Sequence, residues 1–228
     1  MKIAIIIVSI IALVLAGFAL YLLSANSKMR GEMMGKIDDL EEQVNILTVE
    51  LEARVAEVSQ EKEEEIDRLK GTYDALVADM KSEIELGQIK ITQLADRLSV
   101  SMVDKILFPS GEAEITAEGL EILDRVGKVL KDAEGKVIRV EGHTDNVPIH
   151  PNLQKKFPTN WELSTARATN VVRFLQDEVG IKGTRLQVIG MSEYHPVASN
   201  ANVAGRSQNR RIEITLLPES AGLAPTTK

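Results

Sequence analysis

The sequence contains no cysteine. That excludes disulfides, thiol catalysis, thiolate metal sites and a lipid-modified N-terminal Cys. No proline falls between Arg30 and Leu98, so nothing there forces a break in a helix. Aromatic residues make up only 4%, and aliphatic side chains must therefore supply any core. No charged residue lies between Ile3 and Leu23, and no acid anywhere from Met1 to Met29. Histidine is scarce as well: His143, His150 and His195 match no compact metal-ligand spacing. Neither a metal nor a cofactor is expected. The formal net charge is −7, which argues against nucleic acid as a partner.

The charge that is present is segregated. Residues 31–98 hold 8 Lys/Arg against 18 Asp/Glu, while residues 99–228 hold 16 of each. Ahead of both lies Ile3–Leu23, 21 uncharged residues interrupted only by Ser9, Gly17 and Tyr21, which at ~1.5 Å each span roughly 30 Å, the thickness of a bilayer core. A cleaved signal peptide begins the same way. Its apolar core is typically shorter, however, and Ser24-Ala25-Asn26-Ser27 is a poor cleavage site. The expectation is a transmembrane signal anchor over 1–25. The positive-inside count, with Lys2 and the N-terminal amine on one side and Lys28, Arg30 and Lys36 on the other, is weak and taken alone slightly favours the opposite of a periplasmic C-terminal domain, so the nature of that domain decides the orientation.

In the acidic segment, Ile37, Val44, Leu51 and Val58 recur every seven residues, with Leu40 and Leu47 between them. Ile66, Tyr73 and Met80, interleaved with Leu69 and Leu76, form a second phase. Val77, Ile84, Ile91 and Leu98 form a third. Such seams predict a coiled-coil stalk over 30–98, on the order of 100 Å if wholly helical. A solvated single helix is the alternative. A narrow apolar stripe on so polar a helix calls for a partner, and a parallel homodimer is expected.

Past Leu98 the pattern is mixed. Val103–Phe108, Lys136–Glu141, Arg185–Ile189 and Arg211–Leu217 read as strands. One helix begins after Thr116 and carries Leu120, Leu123, Val126, Val129 and Leu130 at helical spacing. Another runs from about Trp161 to Glu178, capped by Asn160 and closed by Gly180. The prediction is an α+β domain over 99–218, with a roughly four-stranded mixed sheet packed by helices. A disordered tail is expected over 219–228.

Within this domain, Val140-Glu141-Gly142-His143-Thr144-Asp145-Asn146-Val147-Pro148-Ile149 resembles the signature of OmpA C-terminal-like peptidoglycan-binding domains, in the variant found in MotB-type flagellar stator proteins. Three further stretches agree in order and spacing: Phe108-Pro109-Ser110-Gly111-x-Ala113, Asn160 to Ala168 (NWELSTARA), and Ser207 to Ile214 (SQNRRIEI). The resemblance implies noncovalent binding of the peptidoglycan stem peptide at its diaminopimelate residue. Asp145 would meet the ligand's ammonium and Arg167 its carboxylate, with Thr144, Asn160 and Leu163 shaping the site. Opposite charges held apart suit a zwitterion, and a planar guanidinium grips a carboxylate with two parallel bonds. Read without the resemblance, Asp145 is a turn residue, Arg167 a surface arginine, Asn160 a helix cap and Leu163 core. Arg210 and Arg211 read as structural, tying the last strand to nearby carboxylates.

Two departures from the family pattern matter. The family commonly has Gly-x-Gly-Glu where this chain has Gly190-Met191-Ser192-Glu193. Stator proteins of the MotB type also carry an intramembrane Asp, which is missing here. The expected role is thus an envelope tether in the inner membrane, single-pass, with the C-terminal domain in the periplasm and bound to peptidoglycan. The alternative is a subunit of an ion-driven motor. A third reading takes Asp145 and Glu141 as a hydrolytic carboxylate pair, but Glu141 lies in a strand, and no enzymatic activity is expected.

Overall fold

The computed structural model describes residues 2–94 and 96–219, without the side chains of residues 2–5 and 8. The expected tail therefore lies, from residue 220 on, outside the described residues. Two units are resolved, residues 1–62 and 63–228, and one helix, α1 (Lys2–Asp79), contributes to both.

In the first unit, the described side chains of α1 are exposed all round. Leu13, Leu20 and Leu23 of the apolar run are 66–73% exposed, and Ile37, Leu40, Val44, Leu47 and Leu51 of the heptad stripe 51–64%. Among the described residues this is one helix long and apolar enough to cross a membrane.

The second unit corrects the expected stalk. Leu69, Leu76 and Met80 are no coiled-coil seam; they are almost wholly buried in the core of the C-terminal domain. The helix stops at Asp79, a short helix α2 (Lys81–Glu85) follows, and Gly87 turns the chain at φ +67°. A strand, β1 (Ile89–Gln93), then pairs antiparallel with β2 (Leu98–Val103). An apolar stripe at i, i+3, i+4 is the same whether a second helix or a sheet covers it, so the period did not name the partner. Arg125 ties this region to the rest by donating to the Asp79 carbonyl (2.9 Å) and pairing with Glu83. Buried Lys136 pairs with Glu65.

After β2 the chain makes one helical turn, α3 (Asp104–Leu107), where the apolar run 103–108 reads as a strand. Then come α4 (Ala117–Asp132), β3 (Lys136–His143), α5 (Asn160–Asp177), β4 (Leu186–Ser192), α6 (Val203–Asn209) and β5 (Arg211–Pro218). The sheet is mixed and five-stranded, in the order β1-β2-β5-β3-β4. Only β3 and β4 are parallel, joined through α5, as a parallel pair requires a crossover. Along β2, Leu98, Val100 and Met102 are buried, while Ser99, Ser101 and Val103 alternate with them on the more open face. The core gathers these with α1, α4, α5 and β5 residues such as Leu76, Leu123, Val171 and Ile214.

Thr116 caps α4 as expected, accepting from the Gly119 N–H at 3.0 Å. The cap of α5 is Thr159 rather than Asn160. The Thr159 hydroxyl accepts from the Trp161 N–H, and the Glu162 carboxylate accepts from the Thr159 N–H at 2.8 Å, closing a capping box. Asn160 is thereby released for another use.

Candidate functional site

Two glycines set the site's geometry. Gly142 and Gly190 are register partners across the parallel pair. A Cβ on Gly142 would lie 2.1 Å from the Ser164 carbonyl oxygen, and one on Gly190 would lie 2.0 Å from the Thr165 hydroxyl. Without side chains at both positions, the first turns of α5 rest directly on the strand ends. The Ser192 N–H donates to the Ser164 hydroxyl (3.1 Å) at the same place. The loop leaving β3 is thus held beside the start of α5. Thr144, Asp145, Asn160, Leu163 and Arg167 all line one cleft of about 570 Å³, together with Asp104, Phe108 and Arg210.

At the floor of that cleft, charges alternate. Buried Arg167 donates from Nη1 to Asp104 Oδ2 (2.9 Å) and from Nε to the Glu112 carbonyl (2.8 Å). Its guanidinium lies 5.0 Å from the Phe108 ring centre. Arg210 places Nε 3.5 Å from the other oxygen of Asp104 and donates from Nη1 to Asp145 Oδ2 at 2.5 Å. Asp145 Oδ1 accepts from the Val147 N–H (3.0 Å), an Asx turn that fixes its carboxylate. The row Arg167–Asp104–Arg210–Asp145 therefore gives each buried charge an opposite neighbour, as burial demands. Burial pushes the Asp104 carboxyl up from its ordinary value, and Arg167 and Arg210 pull it back. Burial likewise lowers Arg167, against the pull of Asp104.

Not every polar group is engaged. Arg167 Nη2 has no protein partner among the described residues, and the buried Thr144 hydroxyl has none either. Each carboxylate oxygen of Asp145 accepts one bond and keeps a further lone pair.

Asn160 and Leu163 act on the loop. The Asn160 amide donates to the carbonyls of Asp145 (3.3 Å) and Val147 (3.1 Å) and to the Glu193 carboxylate (2.7 Å). Leu163 packs with Ala113 and Phe157 in a small separate cluster that Ile149 joins, anchoring the loop's far side.

The sequence motifs do not point to Asp104, and they give Arg210 only a structural role, whereas the structure sets both in the charged row of the cleft. An acid inside the apolar run Val103–Phe108 was the available signal, since a buried carboxylate needs a cationic partner. Arg211 is structural as expected, reaching Glu213 and the carbonyls of His195 and Asn209.

Residues 107–210 match the OmpA family. The C-terminal domain belongs to the OmpA family. Motility protein B of Bacillus subtilis (strain 168) is 34% identical over 159 residues, which cover 70% of this chain and 59% of that protein. Peptidoglycan-binding protein ArfA of Mycobacterium tuberculosis (strain ATCC 25618 / H37Rv) is 32% identical over 111 residues, 49% of this chain and 32% of that protein. The cell wall anchor of the T6SS from Pseudomonas aeruginosa superposes with a TM-score of 0.57 at 34% identity, covering 63% of this chain and 96% of that one. The chain thus spans less than two thirds of the curated relatives' own length.

Proposed function

We propose that the protein is a membrane-anchored envelope tether that holds peptidoglycan noncovalently by the diaminopimelate residue of its stem peptide. The observation carrying this reading is the cleft, where a buried guanidinium with a free Nη2 and a carboxylate with free lone pairs stand in one charge-alternating row. A zwitterionic side-chain end meets both: its carboxylate at Arg167, its ammonium at Asp145, shared with Arg210. The Thr144 hydroxyl adds a hydrogen bond that no protein group now makes. Charge-assisted bonds in a shielded cleft are the strong ones. Such binding involves no bond making or breaking, so the role is not enzymatic.

The remaining parts complete the tether. The apolar run of α1 sits in the inner membrane, single-pass, and the OmpA-family domain faces the periplasm. The exposed stripe from Ile37 to Val58 pairs two copies in parallel. Retention on purified sacculi tests the binding. The full chain should be retained, and Asp145→Ala and Arg167→Ala should each lose most of that retention while keeping the wild-type circular dichroism. Folded variants retained like the wild type would remove the assigned mechanism.

The match to Motility protein B over 70% of this chain favours a second reading, a subunit of an ion-driven motor. Ion transfer through a membrane needs a group that gains and loses charge, and no acid lies between Met1 and Met29. A motor would have to take that carboxylate from a partner protein.

A further inference from the structure

The only tryptophan of the chain, Trp161, is exposed (46%), and it stacks on Tyr194, which is more exposed still (64%). Their ring centres are 5.4 Å apart and their planes 29° from parallel. In a chain with so few aromatics, two of the largest apolar surfaces are thus left in water beside each other. Neither ring belongs to the core. Their position is fixed from below. Trp161 follows Asn160 and Tyr194 follows Glu193, and the Asn160 amide donates to the Glu193 carboxylate at 2.7 Å. That same amide holds the Asp145–Val147 loop, and Asn160 lines the cleft. Each ring is therefore the chain neighbour of one partner in the Asn160–Glu193 bond, and Asn160 itself lines the cleft.

We propose that Trp161 and Tyr194 form a platform for a pyranose ring of the glycan to which the stem peptide is attached. The inference rests on the stem-peptide reading of the cleft. One face of a pyranose chair presents C–H groups of partial positive charge, which are attracted to the negative face of an aromatic ring. Stacking holds each ring against the other, so little side-chain freedom remains to be lost when a sugar lands. A stem peptide leaving the cleft on this side carries its sugar onto the platform.

The test titrates the full chain in nanodiscs, free of sugar detergents, with two probes: the diaminopimelate stem peptide alone and the same peptide on its disaccharide. The wild type should bind the disaccharide-peptide about three- to tenfold more tightly than the free peptide, the order expected of an aromatic contact. Trp161→Ala and Tyr194→Ala should abolish that increment and leave free-peptide affinity unchanged, and Trp161→Phe should restore part of it. Equal wild-type affinity for the two probes would overturn the platform while leaving the stem-peptide reading intact. So would Ala variants that weaken both probes equally, since the pair would then only support the loop. Failure of the free peptide to bind the wild type would overturn the reading of the cleft and the platform with it.

Discussion

Asp104 joins the two arginines at the floor of the cleft. It is buried and lies between two guanidiniums, 2.9 Å from Arg167 and 3.5 Å from Arg210. Removing its charge leaves Arg167 buried without its counter-ion, and breaking a buried pair on one side typically costs about 3–5 kcal/mol. Asp104→Asn should therefore lower the denaturant midpoint sharply at an unchanged slope, although no ligand contact is assigned to it. Ser192 presents the reverse case. It is the one non-glycine residue with positive φ among the described residues, at 53°, where an L side chain is strained. Ser192→Gly should relieve this, offset in part by glycine's greater unfolded-state freedom, for a net gain of about 0.5–1 kcal/mol in thermal or chemical unfolding. Both residues show what was legible at this scale. Ser192 stood out in the sequence as a departure from a glycine pattern, and the backbone gives the reason. Thr144, Asp145, Asn160, Leu163 and Arg167 line one cleft because the end of β3 and the start of α5, which carry their motifs, pack directly on each other. Asp104 escaped because a short apolar run hides whether its acid faces water or a buried arginine.

A single helix, α1, carries two different apolar stripes. Up to Val58 the stripe is exposed; from Leu69 on it is covered by the domain's own core. A fragment beginning at residue 99 therefore lacks Leu69, Leu76, Met80 and Ile89, all nearly fully buried. At about 1.5–3 kcal/mol for each buried aliphatic side chain, residues 99–228 should unfold far more readily than residues 63–228. Comparing their thermal melts checks this. For the exposed stripe, Val44→Asp with Leu51→Asp should weaken self-association of the full chain in analytical ultracentrifugation, while Glu52→Lys should change it little. At α5, a side-chain hydrogen bond from Thr159 holds the Glu162 carboxyl below its ordinary value. A depressed carboxyl stabilises the fold above its unfolded pKa, and that contribution is lost as pH falls through the folded value. Acidification below about pH 4.5 should thus loosen the start of α5, and Thr159→Ala should blunt the response. The helices α4 and α5 and the strands β3, β4 and β5 were legible from periodicity and caps. Strand β1 was not, because Ile89 and Ile91 alternate over too few residues to separate from a heptad phase.

Across the whole molecule, an apolar helix, an acidic helical segment and an OmpA-family domain are arranged in chain order, and the proposed tether gives each a place: membrane, span and wall. Its central claim is that the cleft reads a zwitterion, with Arg167 on the carboxylate and Asp145 on the ammonium. Editing the ligand separates the two contacts without disturbing the protein. Calorimetric titration of the full chain with three stem peptides is the most direct measurement: diaminopimelate-type, the same with its side-chain carboxylate amidated, and lysine-type. Losing one partner of a shielded charged pair costs about 2–5 kcal/mol, roughly 30-fold or more in affinity. The first peptide should bind tightly, and the amidated and lysine-type peptides should lose affinity of that order. Equal affinity for all three would contradict it.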